Sequence, residues 1–116
     1  DRYGHQAGDR LLQNVANNCL SSLRKSDILC RFGGDEFIAL LPETNKTDAL
    51  KIARRIREVA ASSIFHVKQD KFNITLSLGV AAKDDACSSV DALVSAADEA
   101  LYKAKKAGRN CVRVSD

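Results

Sequence analysis

The chain has 116 residues, 45% of them apolar and 28% charged, which is the balance of a soluble globular domain and the length of one. A single domain spanning 1–116 is therefore expected. Eighteen Lys and Arg against 15 Asp and Glu leave +3, with no like-charge block long enough for a nucleic-acid tail, so neither DNA nor RNA is an expected partner. The longest unbroken apolar run, Phe37 to Leu41, is five residues, far short of a transmembrane helix, and no signal peptide is expected in this stretch. The four cysteines, Cys19, Cys30, Cys87 and Cys111, form no CxxC pair, and His5 and His66 stand at no zinc-like spacing from them. Reduced, mostly buried thiols on the cytoplasmic side are the expectation. The first residue is Asp1, so the chain is expected to belong to something longer.

In chain order, Leu11, Leu12, Val15, Ala16, Cys19, Leu20 and Leu23 recur at helical spacing, which predicts an amphipathic helix over 8–25. Two apolar runs, Ile28–Phe32 and Phe37–Leu41, flank Gly33-Gly34-Asp35-Glu36 and predict a β-hairpin that Pro42 ends. Thr47 or Asp48 is the expected cap of a second helix with the stripe Leu50, Ile52, Ala53, Ile56, Val59 and Ala60. Residues 62–72 read as a loop with a small extended piece. From Asn73 the alternation Ile74, Leu76, Leu78, Val80 marks a half-buried strand. Residues 83–90 are turn-like. Asp91–Ala107 is a third helix with Gly108 placed as its C′ residue, and Cys111, Val112 and Val114 make a last strand. Helices alternating with strands around one hairpin predict an α+β mixed sheet. One more strand before residue 1 would complete a βαββαβ core of ferredoxin-like type.

Four clusters could carry chemistry. Gly33-Gly34-Asp35-Glu36 is a tight solvated turn on the plain reading. Yet rigid apolar flanks, two glycines that let phosphates near the backbone, and two repelling carboxylates suit a hard divalent cation with substrate phosphates. Lys103, Lys105, Lys106 and Arg109 either complement a helix dipole or grip phosphate, Lys105 and Arg109 sharing a face at a spacing of four if the helix extends that far. Gly4-His5 with Gly8-Asp9 is an ordinary helix start, or a place where a carboxylate takes donors from a base edge. Arg24 and Asp27 are by default a surface ion pair of little worth.

Arg31-Phe32-Gly33-Gly34-Asp35-Glu36-Phe37 carries the GGDEF signature, and the chain resembles bacterial diguanylate cyclase domains over nearly its whole length. Tyr3-Gly4-His5 to Gly8-Asp9, Leu41-Pro42, Thr75-x-Ser77-x-Gly79-Val80, Ala97-Asp98-x-Ala100-Leu101-Tyr102-x-Ala104-Lys105 and Gly108-Arg109-Asn110 follow in the family's order and spacing. The resemblance implies a palm-like sheet, similar to those of adenylate cyclases and polymerases. It implies GTP with magnesium or manganese at the hairpin, and a homodimer whose facing sites each hold one GTP. Each 3′-hydroxyl attacks the other nucleotide's α-phosphate, giving cyclic di-GMP and two pyrophosphates. By position, Asp35 implies a metal ligand and proton acceptor, and Glu36 a support for the metal. Gly33 and Gly34 imply room for the nucleotide, His5 and Asp9 the guanine pocket, and Lys105 and Arg109 the terminal phosphates. Asp98 and Asn110 are assigned to holding the last helix and turn. Arg24-x-x-Asp27 matches the family's RxxD inhibitory site, where the product binds, with Arg55 as a secondary contact.

The family's first strand, which supplies a metal aspartate, a phosphate-binding lysine and a guanine-binding asparagine, has no counterpart before Asp1. This stretch alone is therefore expected to lack activity, stability or both. An upstream sensory or receiver domain is implied in the parent protein. The alternative is an inactive domain that binds GTP or cyclic di-GMP as a regulatory module; intact Asp35, Glu36, Lys105 and Arg109 favour the enzyme.

Overall fold

Among the described residues, backbone pairing divides the strands into three short ladders, with three helices packed around them. The computed structural model describes residues 4–33, 35–85 and 87–115, the side chains of residues 4 and 5 lying outside that description. Helix α1 covers Gly4–Leu20, strands β1 and β2 Ile28–Gly33 and Glu36–Leu40, and helix α2 Lys46–Ala61. Strands β3 (Phe65–Val67), β4 (Asp70–Phe72) and β5 (Leu78–Val80) follow, then helix α3 (Val90–Lys106) and strand β6 (Val112–Val114). β1 pairs with β2 and β3 with β4 antiparallel, while β5 and β6 are parallel. The class is α+β, as expected.

Several boundaries move for identifiable reasons. α1 begins at Gly4, not residue 8, because Ala7, 6% exposed, starts the buried stripe one turn early. It stops at Leu20, not residue 25. The amides of Ser21, Ser22 and Leu23 bond three residues back, to Asn18, Cys19 and Leu20, and that tightening ends the helix. Asn45, neither Thr47 nor Asp48, caps α2. Its backbone is extended and its side chain accepts from the Asp48 amide at 2.8 Å, which leaves Asp48 in the first turn near the positive end of the dipole. Residues 62–72 contain a small hairpin, β3–β4. Residues 73–76 alternate in burial as predicted and Ser77 breaks the alternation; among the described residues no strand pairs with this stretch, so the ladder begins at Leu78.

The core gathers Val15 and Cys19 of α1, Ile56 of α2 and Phe65 of β3, with Leu11, Leu29, Ile52, Phe72, Ile74 and Leu76 against them. α3 lies on β5 through small residues. Ala100 and Ala104 are buried, and a Cβ on Gly79 would run into the backbone at Ala97 and Leu101. Only glycine allows that approach. Of the four cysteines, Cys19 alone is buried; Cys30 is exposed and Cys87 and Cys111 are half-buried, all as free thiols. Burial raises the Cys19 thiol above its ordinary pKa, which keeps it protonated and inert. The expectation of mostly buried thiols fails because Cys87 lies in an isolated bridge to Asp84, Cys111 just precedes β6, and Cys30 faces solvent.

Candidate functional site

The β1–β2 hairpin is irregular at the signature residues. The register runs Ile28 to Leu40 through Arg31 to Phe37, then jumps to Gly33 opposite Glu36. Phe32 is the extra residue of a bulge and is 65% exposed. A bulge bends and twists a strand end, and here it carries the turn with Asp35, which is exposed, and Glu36, which is half-buried. Gly34 lies outside the described residues. Across from the hairpin, Lys105 Nζ in the last turn of α3 stands 3.5 Å from Glu36 Oε1. Two clusters remote in sequence thus meet in space.

The end of α3 shows how Lys105 and Arg109 are presented. The Gly108 amide donates to the Lys105 carbonyl and the Arg109 amide to the Ala104 carbonyl, the paired bonds of a Schellman cap with Gly108 at C′. Gly108, Arg109 and Asn110 all have positive φ, at 112°, 64° and 46°. The Asn110 amide donates to Ser77 Oγ at 3.1 Å, and Asn110 Oδ1 accepts from Arg57 Nη1 of α2 at 3.1 Å. Asn110 therefore holds the turn, as assigned. Asp98 is exposed and makes no hydrogen bond or ion pair with another described residue.

Between α1 and the β-ribbon lies an open cleft of about 180 Å³ lined by Asp9, Leu12, Gln13, Leu29, Arg31 and Phe37, among others. Asp9 Oδ1 accepts from Arg31 Nη1 at 3.1 Å, an exposed pair that ties α1 to β1. His5 lies in the first turn of α1, its side chain outside the described residues.

Arg24 and Asp27 are not a loose surface pair. The Asp27 side chain is fully buried while that of Arg24 is 53% exposed. Asp27 Oδ2 accepts from the Arg24 amide at 2.8 Å and Oδ1 from Arg24 Nη2 at 3.2 Å. Nη2 also donates to the Pro42 carbonyl at 3.0 Å and to Thr44 Oγ1. The pair is thus a strap between the α1–β1 turn and the loop into α2. The Arg24 backbone N–H chiefly, then its guanidinium, hold the Asp27 carboxyl below the ordinary range, against burial, which pushes it up. Arg55 is exposed on α2, and no hydrogen bond or ion pair joins it to Arg24 or Asp27.

Arg57 and Thr44 are residues that sequence reasoning passed over, and Ser77, quoted in the motif from Thr75 to Val80, was given no role. Ser77 had a visible place on one strand face, but nothing in the pattern marked Arg57 or Thr44. Among the described residues no three His, Cys, Asp or Glu side chains converge on one point. Glu36 does offer hard oxygen donors beside a cationic Lys105, and Asp35 precedes it in the hairpin turn. That donor set fits a magnesium-type ion, which is bound by one or two carboxylates and completes its shell with phosphate and water.

Comparison with known proteins gives the family and the fold. Residues 1–111 match the family model described as diguanylate cyclase, GGDEF domain. The chain is 41% identical over 114 residues to the response regulator PleD of Caulobacter vibrioides, covering 97% of this chain and 25% of that protein. The GGDEF domain of YfiN (TpbB) from Pseudomonas aeruginosa superposes with a TM-score of 0.91 at 34% identity, covering all of this chain and 73% of that one. The GGDEF domain of DgcB from Caulobacter crescentus, solved in complex with c-di-GMP, gives 0.86 at 28% identity, over 98% of this chain and 68% of that one. The chain belongs to the GGDEF, diguanylate cyclase, family, and its α+β architecture is that family's palm-like fold. It spans about a quarter of the length of PleD.

Proposed function

We propose that this chain is the GTP-condensing domain of a diguanylate cyclase. The observation that carries the reading is Lys105 Nζ at 3.5 Å from Glu36 Oε1, which puts a phosphate-binding cation beside the hairpin carboxylates. Asp35 and Glu36 hold a magnesium or manganese ion. When bound, that ion supplies positive charge against the phosphates and eases ionisation of a hydroxyl. Lys105 and Arg109 take the terminal phosphates, and Gly33 and Gly34 give them room along the backbone. Asp9, with His5, receives the guanine edge; the base there exchanges for the Arg31 guanidinium that now pairs with Asp9. Asp35 accepts the proton of the attacking 3′-hydroxyl, a new O–Pα bond forms, and the bond from Pα to the bridging oxygen breaks to release pyrophosphate. Two facing domains each perform this once.

The product, cyclic di-GMP, binds at Arg24 with Asp27 behind it and Arg55 as a second contact, and inhibits turnover. Asp27 buries the charge that aims Arg24, whose fork suits phosphate and guanine acceptors. An upstream sensory or receiver domain brings two copies together on the cytoplasmic side of the membrane. The test is GTP turnover with magnesium in the intact protein, followed by chromatography for cyclic di-GMP. Product is expected from the natural sequence and none from Asp35→Ala or Glu36→Ala. Full activity in both variants overturns the metal assignment. No product from the natural sequence, with nucleotide still bound, replaces the enzyme by a binding module.

A further inference from the structure

We propose that Arg57 of α2 is a positioning residue for the phosphate grip, acting on Arg109 through Asn110. The inference rests on the reading of Lys105 and Arg109 as holders of the terminal phosphates. Its starting point is the backbone after α3. Gly108 adopts a left-handed conformation freely, but Arg109 at φ 64° follows it, and a long side chain keeps that conformation only when its surroundings over-determine it. The Schellman bonds to Ala104 and Lys105 hold Gly108 and the Arg109 amide. They do not reach Asn110, whose own positive φ completes the turn.

Two bonds from elsewhere do reach it. Ser77 Oγ takes the Asn110 amide, and Arg57 Nη1 donates to Asn110 Oδ1 at 3.1 Å. Arg57 is the contact that comes from α2, a helix outside the β5–α3–β6 unit. Its side chain is 28% exposed, and its ion pair with Glu58 Oε1, at 3.9 Å, is long, so its best bond is spent on Asn110. If Asn110 returns to an extended backbone, the residue before it rotates too. The Arg109 Cβ then leaves the end of α3 that presents Lys105. Losing Arg57 should therefore loosen the hold on terminal phosphates while leaving the guanine cleft between α1 and the hairpin untouched.

The test compares the binding of 3′-deoxy-GTP and 3′-deoxy-GMP, with magnesium, to the intact protein by calorimetry. Neither nucleotide carries the attacking hydroxyl, and they differ only in the terminal phosphates. Arg57→Ala is expected to reduce the triphosphate-over-monophosphate preference by about tenfold, the worth of one charged hydrogen bond. Binding of the monophosphate should not change. Arg57→Lys, which keeps one donor, should restore part of the preference. In an Arg109→Ala background, Arg57→Ala should add little. Equal losses for both nucleotides, or a loss that adds fully to that of Arg109→Ala, overturn the proposal and leave Arg57 a structural tie. If Arg109→Ala alone leaves the preference unchanged, the phosphate reading fails, and this inference with it. Should Arg57→Ala not fold, Ser77→Ala and Arg57→Lys test the same turn by the same preference.

Discussion

Replacing Asp27 by Ala removes the buried end of the strap that joins the α1–β1 turn to the loop before α2. The carboxylate accepts the Arg24 amide at 2.8 Å and the Arg24 guanidinium at 3.2 Å. A hydrogen bond to a charged acceptor contributes about 1.5–3 kcal/mol. The ion pair adds less than about 1 kcal/mol, because Arg24 is half in water and its charge is screened there. The expected loss is therefore about 2–3 kcal/mol, or roughly 10 °C in Tm for a domain near this size. Urea unfolding followed by circular dichroism at pH 7 measures it.

The pH dependence has a definite sign. Asp27 is held below the ordinary carboxylate pKa when folded. Its stabilisation is present in full above the unfolded value, near 4, and is lost as pH falls through the folded one. The gap between natural sequence and variant should therefore begin to narrow only once the pH falls below the unfolded carboxylate value, and go on narrowing as the pH falls through the lower folded one. A gap below about 0.5 kcal/mol at pH 7, or a full-sized gap that persists in acid, would refute the role assigned to this carboxylate.

Two further outcomes follow from the same geometry. Gly79→Ala places a Cβ against the Ala97 and Leu101 backbone, 3.0 Å from the Leu101 Cα; since backbone cannot step aside as a side chain can, the cost should exceed about 3 kcal/mol, seen as a large drop in Tm or loss of soluble protein. Arg24→Ala should relieve inhibition by cyclic di-GMP in turnover assays while catalysis continues; unchanged inhibition would remove the product site from Arg24 and Asp27.

Much of the site was legible in the residues because its parts are local. The hairpin acids sit between two apolar runs, the basic residues close a helix, and Gly108 stands where a helix must end. Each depends on neighbours within a few positions, which a sequence displays. The Arg24–Asp27 pair was visible as a pair, but its worth was not. The spacing of three says nothing of a side chain that is fully buried on one member and half exposed on the other. The strand from Asn73 was visible as an alternation of burial. The ladder is shorter, since hydrogen bonding needs a partner strand and alternation does not.

The amino-acid order alone displayed the class of fold, the helices and the hairpin, and where acidic and basic side chains cluster. Periodicity and turn chemistry are short-range and survive in one dimension. Only the folded chain decided that Lys105 lies against Glu36, that Arg31 occupies Asp9, and that Arg57 on α2 reaches Asn110 beyond α3. Those contacts join residues far apart along the chain. They depend on how closely α3 rests on Gly79 and on where α2 crosses the sheet, quantities set by packing, which no local pattern records.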